Sequence, residues 1–330
     1  MMLRWHIESK PLQLKYTWKI SRNSSDIKTN LFIRVADKKH VGIGEAAPNS
    51  RYGESAEILT DQFESLVDSG LELIRSLEDL QILLSLHLPS NSLRFAIESA
   101  YIHFICQQQG ISVSKFLGVP LPAQVATSFS LPIMDPALIP DFIRLHQLNR
   151  FPSLKVKVNQ EEGLDLVRQV AASSIRPLII DANEAWHNPD ELLRFMEQLQ
   201  PFPIAFIEQP MPAEQVSEYV YLKPLSPYEV FADESVTNRA DFNQLQQQFH
   251  GINMKLMKAG GYLNGLRILE ETRRHKLKTM VGCMVETSLG IWSAMQLCQG
   301  VSHADLDGFL ILKDEPFGIV QEQEGKLFIR

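Results

Sequence analysis

The sequence predicts an α/β protein, a (β/α)₈ barrel preceded by a smaller α+β domain. Three observations carry that prediction. First, five short apolar runs recur with charged residues at their ends. Residues 154–158 hold Lys155 and Lys157, 178–180 lead into Asp181, 204–207 into Glu208, 230–232 into Asp233, and 251–256 hold Lys255. The steps from Lys157 to Asp181, Glu208, Asp233 and Lys255 are 24, 27, 25 and 22 residues, room for one strand, one loop and one helix each. Second, residues 1–120 read as strands followed by helices, whereas from Ala123 the two patterns alternate. Third, 330 residues accommodate a barrel of roughly 200–250 residues plus one smaller domain.

The elements follow in order. Leu31-Phe32-Ile33-Arg34-Val35 and Val41-Gly42-Ile43-Gly44 are strands joined by the turn-forming Asp37-Lys38-Lys39. Ser55 caps a predicted helix to about Val67. Ser92 caps another, in which Leu93, Ala96, Ile97, Ala100, Tyr101, Phe104 and Ile105 recur at helical spacing. Pro120-Leu121-Pro122 marks a boundary. Barrel strands are then expected to end near Ser130, Lys157, Asp181, Glu208, Asp233, Lys255, Cys283 and Asp307, which places the barrel at 121–307. Between them lie amphipathic segments; Asn188-Pro189 supplies an N-cap followed by proline at the first helical position. The tail, 308–330, reads as extended and is expected to return to the first domain.

Composition narrows the function. At 45% hydrophobic and 22% charged residues, the chain can bury a large core. A net charge of −7 argues against nucleic acid or an anionic membrane as partner. Cys106, Cys283 and Cys298 form no CxxC pair, so neither a disulfide framework nor a zinc ribbon is indicated. The start, Met1-Met2-Leu3-Arg4-Trp5-His6, has no apolar signal region, and no apolar run approaches the roughly 18 residues that span a bilayer. The expectation is a cytoplasmic protein with a small-molecule substrate, without nucleic-acid or membrane partners, its assembly into a homo-oligomer left open. Gly42-Ile43-Gly44 lacks the following helix of a dinucleotide site.

Catalytic side chains of a (β/α)₈ barrel come from the C-terminal ends of several strands. Asp181, Glu208 and Asp233 end the third, fourth and fifth strands, so their carboxylates converge on one side of the mouth. Singly, each is an ordinary helix cap or solvated charge; together, three oxygen ligands without His or Cys suit Mg²⁺. Lys157 and Lys255 end the second and sixth strands, opposite in an eight-strand ring, and Lys155 points the same way as Lys157. Two lysines facing one metal-bound carbon can take a proton from one side and return one to the other. The neutral partner needs a neighbouring cation, Mg²⁺ or Lys155, to lower its pKa. Lys258 is a rival to Lys255 as the base. From other classes, a metal-free Schiff-base aldolase would use one barrel lysine, and a binding protein would need neither.

Lys155-Val156-Lys157, Asp181-Ala182-Asn183, Ile207-Glu208-Gln209-Pro210, Ala232-Asp233-Glu234-Ser235 and Asn253-Met254-Lys255 with Gly260-Gly261 together resemble the enolase superfamily, muconate-lactonizing subgroup. The resemblance covers nearly the whole chain. It implies a modified (β/α)₈, TIM-like barrel with an N-terminal α+β capping domain. It also implies Mg²⁺ on Asp181, Glu208 and Asp233, Lys157 and Lys255 as acid/base pair, and Lys155 as an electrostatic helper.

Asp305-Leu306-Asp307, at the end of the eighth strand, places two acids that need a cation, either in an internal salt bridge or from a substrate ammonium. The pair is similar to the motif by which dipeptide epimerases of this family hold the dipeptide α-ammonium. Ile20-Ser21-Arg22-Asn23-Ser24 and Arg51-Tyr52-Gly53-Glu54-Ser55 resemble the two covering loops of the L-Ala-D/L-Glu epimerases. In them Arg22 matches the arginine that pairs with the glutamate side chain; Lys19 and Lys28 are alternatives. Tyr52, Asn183 and Glu286 complete the implied substrate-binding set, Glu286 having a second reading as a capping residue in a βα loop. The implied activity is Mg²⁺-dependent epimerisation, through a metal-stabilised enolate, at the α-carbon of the C-terminal residue of a dipeptide, with L-Ala-D/L-Glu as leading substrate. N-acylamino-acid racemisation and o-succinylbenzoate synthesis are the same-family rivals, and neither substrate carries the ammonium.

Overall fold

The computed structural model describes all residues except Met1 and Arg22. Its N-terminal part is an antiparallel sheet of β1 (Arg4–Lys19), β2 (Ser24–Ala36) and β3 (Val41–Ala46), in that order. Helices α1 (Ala56–Asp68), α2 (Leu77–His87), α3 (Asn91–Gln109) and α4 (Val113–Leu117) follow. Alternation along β2 sends Leu31, Ile33 and Val35 into one core with Leu59, Phe63, Ala96 and Ala100 of α1 and α3. Ser55 caps α1 by accepting from Ile58 N. The helix expected to be capped by Ser92 instead begins at Asn91, because the Glu54 carboxylate accepts the Ser92 N–H at 3.2 Å and does the capping from outside the helix. Gly42 and Gly44 are packing residues. A Cβ there would come within 1.9 Å of Ala100 O and 2.0 Å of Ala96 O, so only glycine lets α3 lie on the sheet.

After β4 (Val125–Ala126), eight parallel strands pair in consecutive order: β5 (Phe129–Leu131), β6 (Leu154–Lys157), β7 (Leu178–Asp181), β8 (Ile204–Glu208), β9 (Val230–Ala232), β10 (Gly251–Lys255), β11 (Lys278–Gly282) and β12 (His303–Asp305). Where β12 meets β5, Ser128 N donates to Ala304 O at 3.0 Å and draws the ring together. The eighth strand stops at Asp305, short of the expected Asp307, because Leu306 N turns to Thr127 Oγ1. The helices of this part are α5 (Ile139–Leu145), α6 (Gly163–Ser173), α7 (Pro189–Gln198), α8 (Val216–Leu225), α9 (Phe242–Gln248), α10 (Leu256–Ala259), α11 (Tyr262–Arg274) and α12 (Ser288–Met295). Alternation sends Val156, Ile180 and Ile207 into the large core that includes helix residues such as Leu166, Leu192 and Leu222. Ile179, Phe206, Phe231 and Met280 form a separate cluster. In register, Lys157, Asp181 and Glu208 stand side by side on three adjacent strands.

The tail first zips onto β1, where Lys15 N donates to Ile311 O and Lys313 N to Gln13 O. It then forms a hairpin, β13 (Val320–Gln323) and β14 (Lys326–Ile329), that pairs with β4. Two buried carboxylates join the N-terminal part to the barrel. Glu45 sits at the N-terminus of α12, accepting from Thr287 N (2.9 Å), Thr287 Oγ1 (2.6 Å) and Gly290 N (3.0 Å), with Asn30 Nδ2 as a fourth donor (2.8 Å). Glu98 of α3 accepts Leu263 N at 3.2 Å at the start of α11. A carboxylate complements the positive end of a helix dipole and its unpaired N–H groups. Among the described residues, no helix is long and apolar enough to cross a membrane.

His103 of α3 is buried at the same junction, donating from Nδ1 to Ile43 O and accepting from the Tyr262 hydroxyl. Burial pushes its pKa from 6.5 down to about 4. The folded state therefore stays neutral while the unfolded chain takes up a proton, so stability is complete above pH 6.5 and falls as pH drops toward 4. The expected loss over that window is about 3 kcal/mol. Urea melts between pH 7 and 4.5 measure it, and His103→Gln should flatten the slope by one proton.

Candidate active site

A cavity of about 290 Å³ opens at the C-terminal ends of the barrel strands, roofed by Trp18, Ile20, Lys28 and the 3-10 turn Ser50–Tyr52 of the N-terminal part. Lys155, Lys157, Asn183, Asp233, Lys255, Asp305 and Asp307 line it from the barrel. Strand-end spacing thus brings both expected lysines of the acid/base pair and both acids of the eighth strand into one space. Tyr52 lines it too. Arg22 lies outside the described residues.

The three acids are buried. Lys155 Nζ stands among them, 3.0 Å from Asp181 Oδ2 and 3.0 Å from Glu208 Oε2, and it donates to Glu208 Oε1 at 3.0 Å and Asp305 Oδ2 at 2.8 Å. Burial alone would lower its pKa; Asp181, Asp305, Glu208 and Asp233 push it well above the ordinary lysine range. Asp181 is held below the usual carboxylate range by Lys155 and Lys157 in spite of burial, and Asp233 by Lys255, Lys258 and Lys155. Glu208 is pushed up to about 7 by burial and by its neighbours Asp181 and Asp233. Its Oε2 is buried and receives no hydrogen bond. Among the described residues, no three His, Cys, Asp or Glu groups close into a ligand cage by themselves. The donor set still fits a hard divalent ion: three carboxylates on adjacent strands, one of whose oxygens, Glu208 Oε2, is met by Lys155 Nζ at 3.0 Å but accepts no hydrogen bond.

The lysines are placed differently from one another. Lys157 Nζ donates to Asp181 Oδ2 (2.8 Å) and Asn183 Oδ1 (3.1 Å), and Lys255 Nζ to Asp233 Oδ2 (2.9 Å). Asp233 raises the Lys255 pKa against burial and Lys155. Lys258 is turned out of the cavity by α10, which starts directly after Lys255; it donates to Asp233 Oδ1 and to the carbonyls of Asp233 and Asn253. Lys258 therefore props an acid, and Lys255 alone of the two faces the cavity.

Two positioning residues carry no catalytic chemistry and escaped the sequence reading, although both stand in the motifs quoted above. Gln209 Oε1 accepts from Asp233 N (2.8 Å) and Ser235 N (3.1 Å), fixing the backbone beside Asp233. Asn253 Nδ2 donates to Glu208 Oε1 at 2.9 Å, and Gly282 leaves it room, since a Cβ there would lie 2.5 Å from Asn253 Oδ1.

Asp305 and Asp307 have separate roles. Asp305 takes the internal salt bridge to Lys155 and hydrogen bonds from the Ser128 and Ser130 hydroxyls. Asp307 accepts Ser130 N at 2.6 Å and is pushed up to about 7 by burial and by Asp305. Glu286, expected to touch substrate, is turned away from the cavity. Its Oε1 accepts Met284 N at 2.7 Å and its side chain fills the space beside Gly290, so it braces its own loop. Asn183, expected to touch substrate, lines the cavity while holding Lys157.

A barrel with lysines and acids distributed over its strand ends, under a roof supplied by an N-terminal α+β part, defines the class. Residues 142–315 match the family model described as Enolase C-terminal domain-like. The chain belongs to the enolase superfamily. It is 33% identical over 327 residues to the L-Ala-D/L-amino acid epimerase of Pedosphaera parvula, covering 96% of this chain and 93% of that protein. Among solved structures it resembles an enolase family member from Agrobacterium tumefaciens with homology to dipeptide epimerases, solved with sodium and L-Ala-L-Glu. The TM-score is 0.88 at 26% identity, over 99% of this chain and 98% of that one. It also resembles the dipeptide epimerase from Methylococcus capsulatus in complex with Mg and L-Arg-D-Lys, with a TM-score of 0.89 at 25% identity over 100% and 98% of the two chains.

Proposed function

We propose that this protein is a Mg²⁺-dependent dipeptide epimerase that inverts the α-carbon of the C-terminal residue by transferring protons between Lys157 and Lys255. The observation that carries this is their placement. They extend from β6 and β10, four strands apart in the ring, line one cavity, and are each hydrogen-bonded to a different acid of the triad. One takes the α-proton and the other delivers a proton to the opposite face. Asp181, Glu208 and Asp233 would hold Mg²⁺, which supplies stabilisation for negative charge developing on the substrate carboxylate. Lys155 balances the acids, and Asp307, whose charge Lys155 does not meet directly, receives the dipeptide ammonium. The same-family rivals give Asp307 no such partner.

For the side chain of the inverted residue, Arg22 lies outside the described residues, and of its two alternatives Lys28 is the one in reach. It lines the cavity, burial lowers its pKa, and no carboxylate pairs with it among the described residues, whereas Lys19 is exposed and outside the lining. An acidic side chain is therefore preferred, which makes L-Ala-D/L-Glu the leading substrate. Cys106, Cys283 and Cys298 are free thiols, in keeping with a reducing cytoplasm.

Dipeptides incubated in deuterated water with the Mg²⁺-loaded protein should acquire deuterium at the C-terminal α-carbon, fastest for Ala-Glu. A chelator should stop exchange, and added Mg²⁺ should restore it. Folded, metal-loaded protein that exchanges no dipeptide of a broad panel would falsify the proposal. Borohydride trapping of a substrate–lysine adduct, insensitive to chelator, would support the aldolase instead.

A further inference from the structure

We infer that Arg51 is a positioning residue that couples the roof of the cavity to one of the two bases, through the turn at Asn183 and Glu184. Arg51 lies in the 3-10 turn Ser50–Tyr52. Its Nε and Nη2 donate to Glu184 Oε2 and Oε1 at 2.8 and 2.9 Å, a two-pronged grip that a planar guanidinium makes and a lysine does not. Nη2 also reaches Glu214 Oε1 at 2.9 Å, so one roof residue ties down the loops after both β7 and β8. Glu184 is braced further by Ala213 N at 2.9 Å.

The turn so held is strained. Asn183 and Glu184 have φ of 43° and 67°, consecutive left-handed conformations at residues with side chains, which persist only where the surroundings impose them. Its product is the placement of Asn183: the backbone N–H donates to Asp181 Oδ1 at 3.1 Å, and the side-chain Oδ1 accepts from Lys157 Nζ at 3.1 Å. The other covering loop joins in, with Ser21 Oγ donating to Asn183 O at 3.0 Å. The route from roof to base is continuous: Arg51, Glu184, Asn183, Lys157. Among the described residues Lys255 is tied to this route less directly, through the longer 3.4 Å hydrogen bond from Asn183 Nδ2 to Glu234 Oε1. The hydrogen bond of Lys255 itself goes to Asp233, whose backbone N–H is fixed from inside the barrel by Gln209. Loosening the roof therefore degrades the aim of Lys157 more than that of Lys255.

The inference rests on the epimerase reading and deepens it. The equilibrium between epimers fixes the ratio of forward to reverse kcat/KM, so net inversion slows equally in both directions and cannot reveal one damaged base. Solvent-deuterium exchange into each epimer, measured separately before inversion, can. Arg51→Met should lower exchange from one epimer about tenfold or more relative to the other. The affected epimer should be the one that Lys157→Ala affects, and Arg51→Lys should recover part of the rate. Should Arg51→Met not fold, Glu184→Gln is read the same way. Equal loss for both epimers, or no loss, overturns the inference while leaving the epimerase reading intact. Wild-type protein that exchanges neither epimer defeats the reading and the inference together.

Discussion

Lys157→Ala and Lys255→Ala are each expected to lower epimerisation of Ala-Glu by about 10³-fold or more, within the range a positioned acid or base contributes. The physical reason is that neither lysine can serve both faces. Each is anchored to its own acid, Lys157 to Asp181 and Lys255 to Asp233, and those acids belong to the two outer strands of the triad. Each variant should still exchange the α-proton of one epimer with solvent, because the surviving lysine can remove and return a proton on its own face. The two variants should keep opposite epimers. Single-epimer exchange followed by NMR, beside steady-state inversion, reads both effects. A one-base mechanism predicts that one of the two variants goes on inverting, and that result would overturn the two-base assignment. Lys258→Met is a useful contrast, since Lys258 supports Asp233 from outside the cavity. Its loss should weaken Mg²⁺ binding, measured by calorimetry, without the opposite-epimer pattern.

Glu45→Ala should destabilise the fold by about 3–4 kcal/mol, the scale of removing a buried charged acceptor from several donors. The carboxylate takes four hydrogen bonds, three of them from the start of α12 on the other side of the junction. Burial pushes its pKa up and the four donors oppose that, so the group is held by its partners and not by solvent. Truncation strands the Thr287 and Gly290 N–H groups at a helix terminus that water cannot reach. Glu45→Gln keeps the shape and an acceptor oxygen, and should cost about half as much. Urea denaturation at pH 7 measures both; a loss within 1 kcal/mol for Glu45→Ala would show that the junction rests on apolar contact instead. Because β3 leads directly into the 3-10 turn that roofs the cavity, Glu45→Ala should also raise KM for the dipeptide.

Much of the barrel was legible because a parallel strand buried on both faces must be apolar except at its end. Lys157, Asp181, Glu208 and Lys255 stand out in sequence for that reason, and Lys157, Asp181 and Glu208 fall in one register row. Patterns of this kind report spacing and facing. They say nothing about which charge meets which. Asp305 read first as a partner for a substrate ammonium and second as half of an internal salt bridge, and the structure gives it the salt bridge, to Lys155, 150 residues away. Ser92 looked like a cap, but a carboxylate from a preceding loop took over its N–H.

The sequence by itself determined the alternation of strand and helix, the three acids and two lysines at successive strand ends, and a family resemblance specific enough to imply the chemistry. Tertiary structure alone decided that Lys258 props Asp233, that Glu286 braces a loop, that Glu45 clamps α12 and that Arg51 reaches Glu184. Strand-end positions are fixed by local periodicity, which a sequence displays directly. Partners across the ring and the roof are fixed by where helices turn a side chain and which buried charges must be neutralised, and those depend on the whole packed chain.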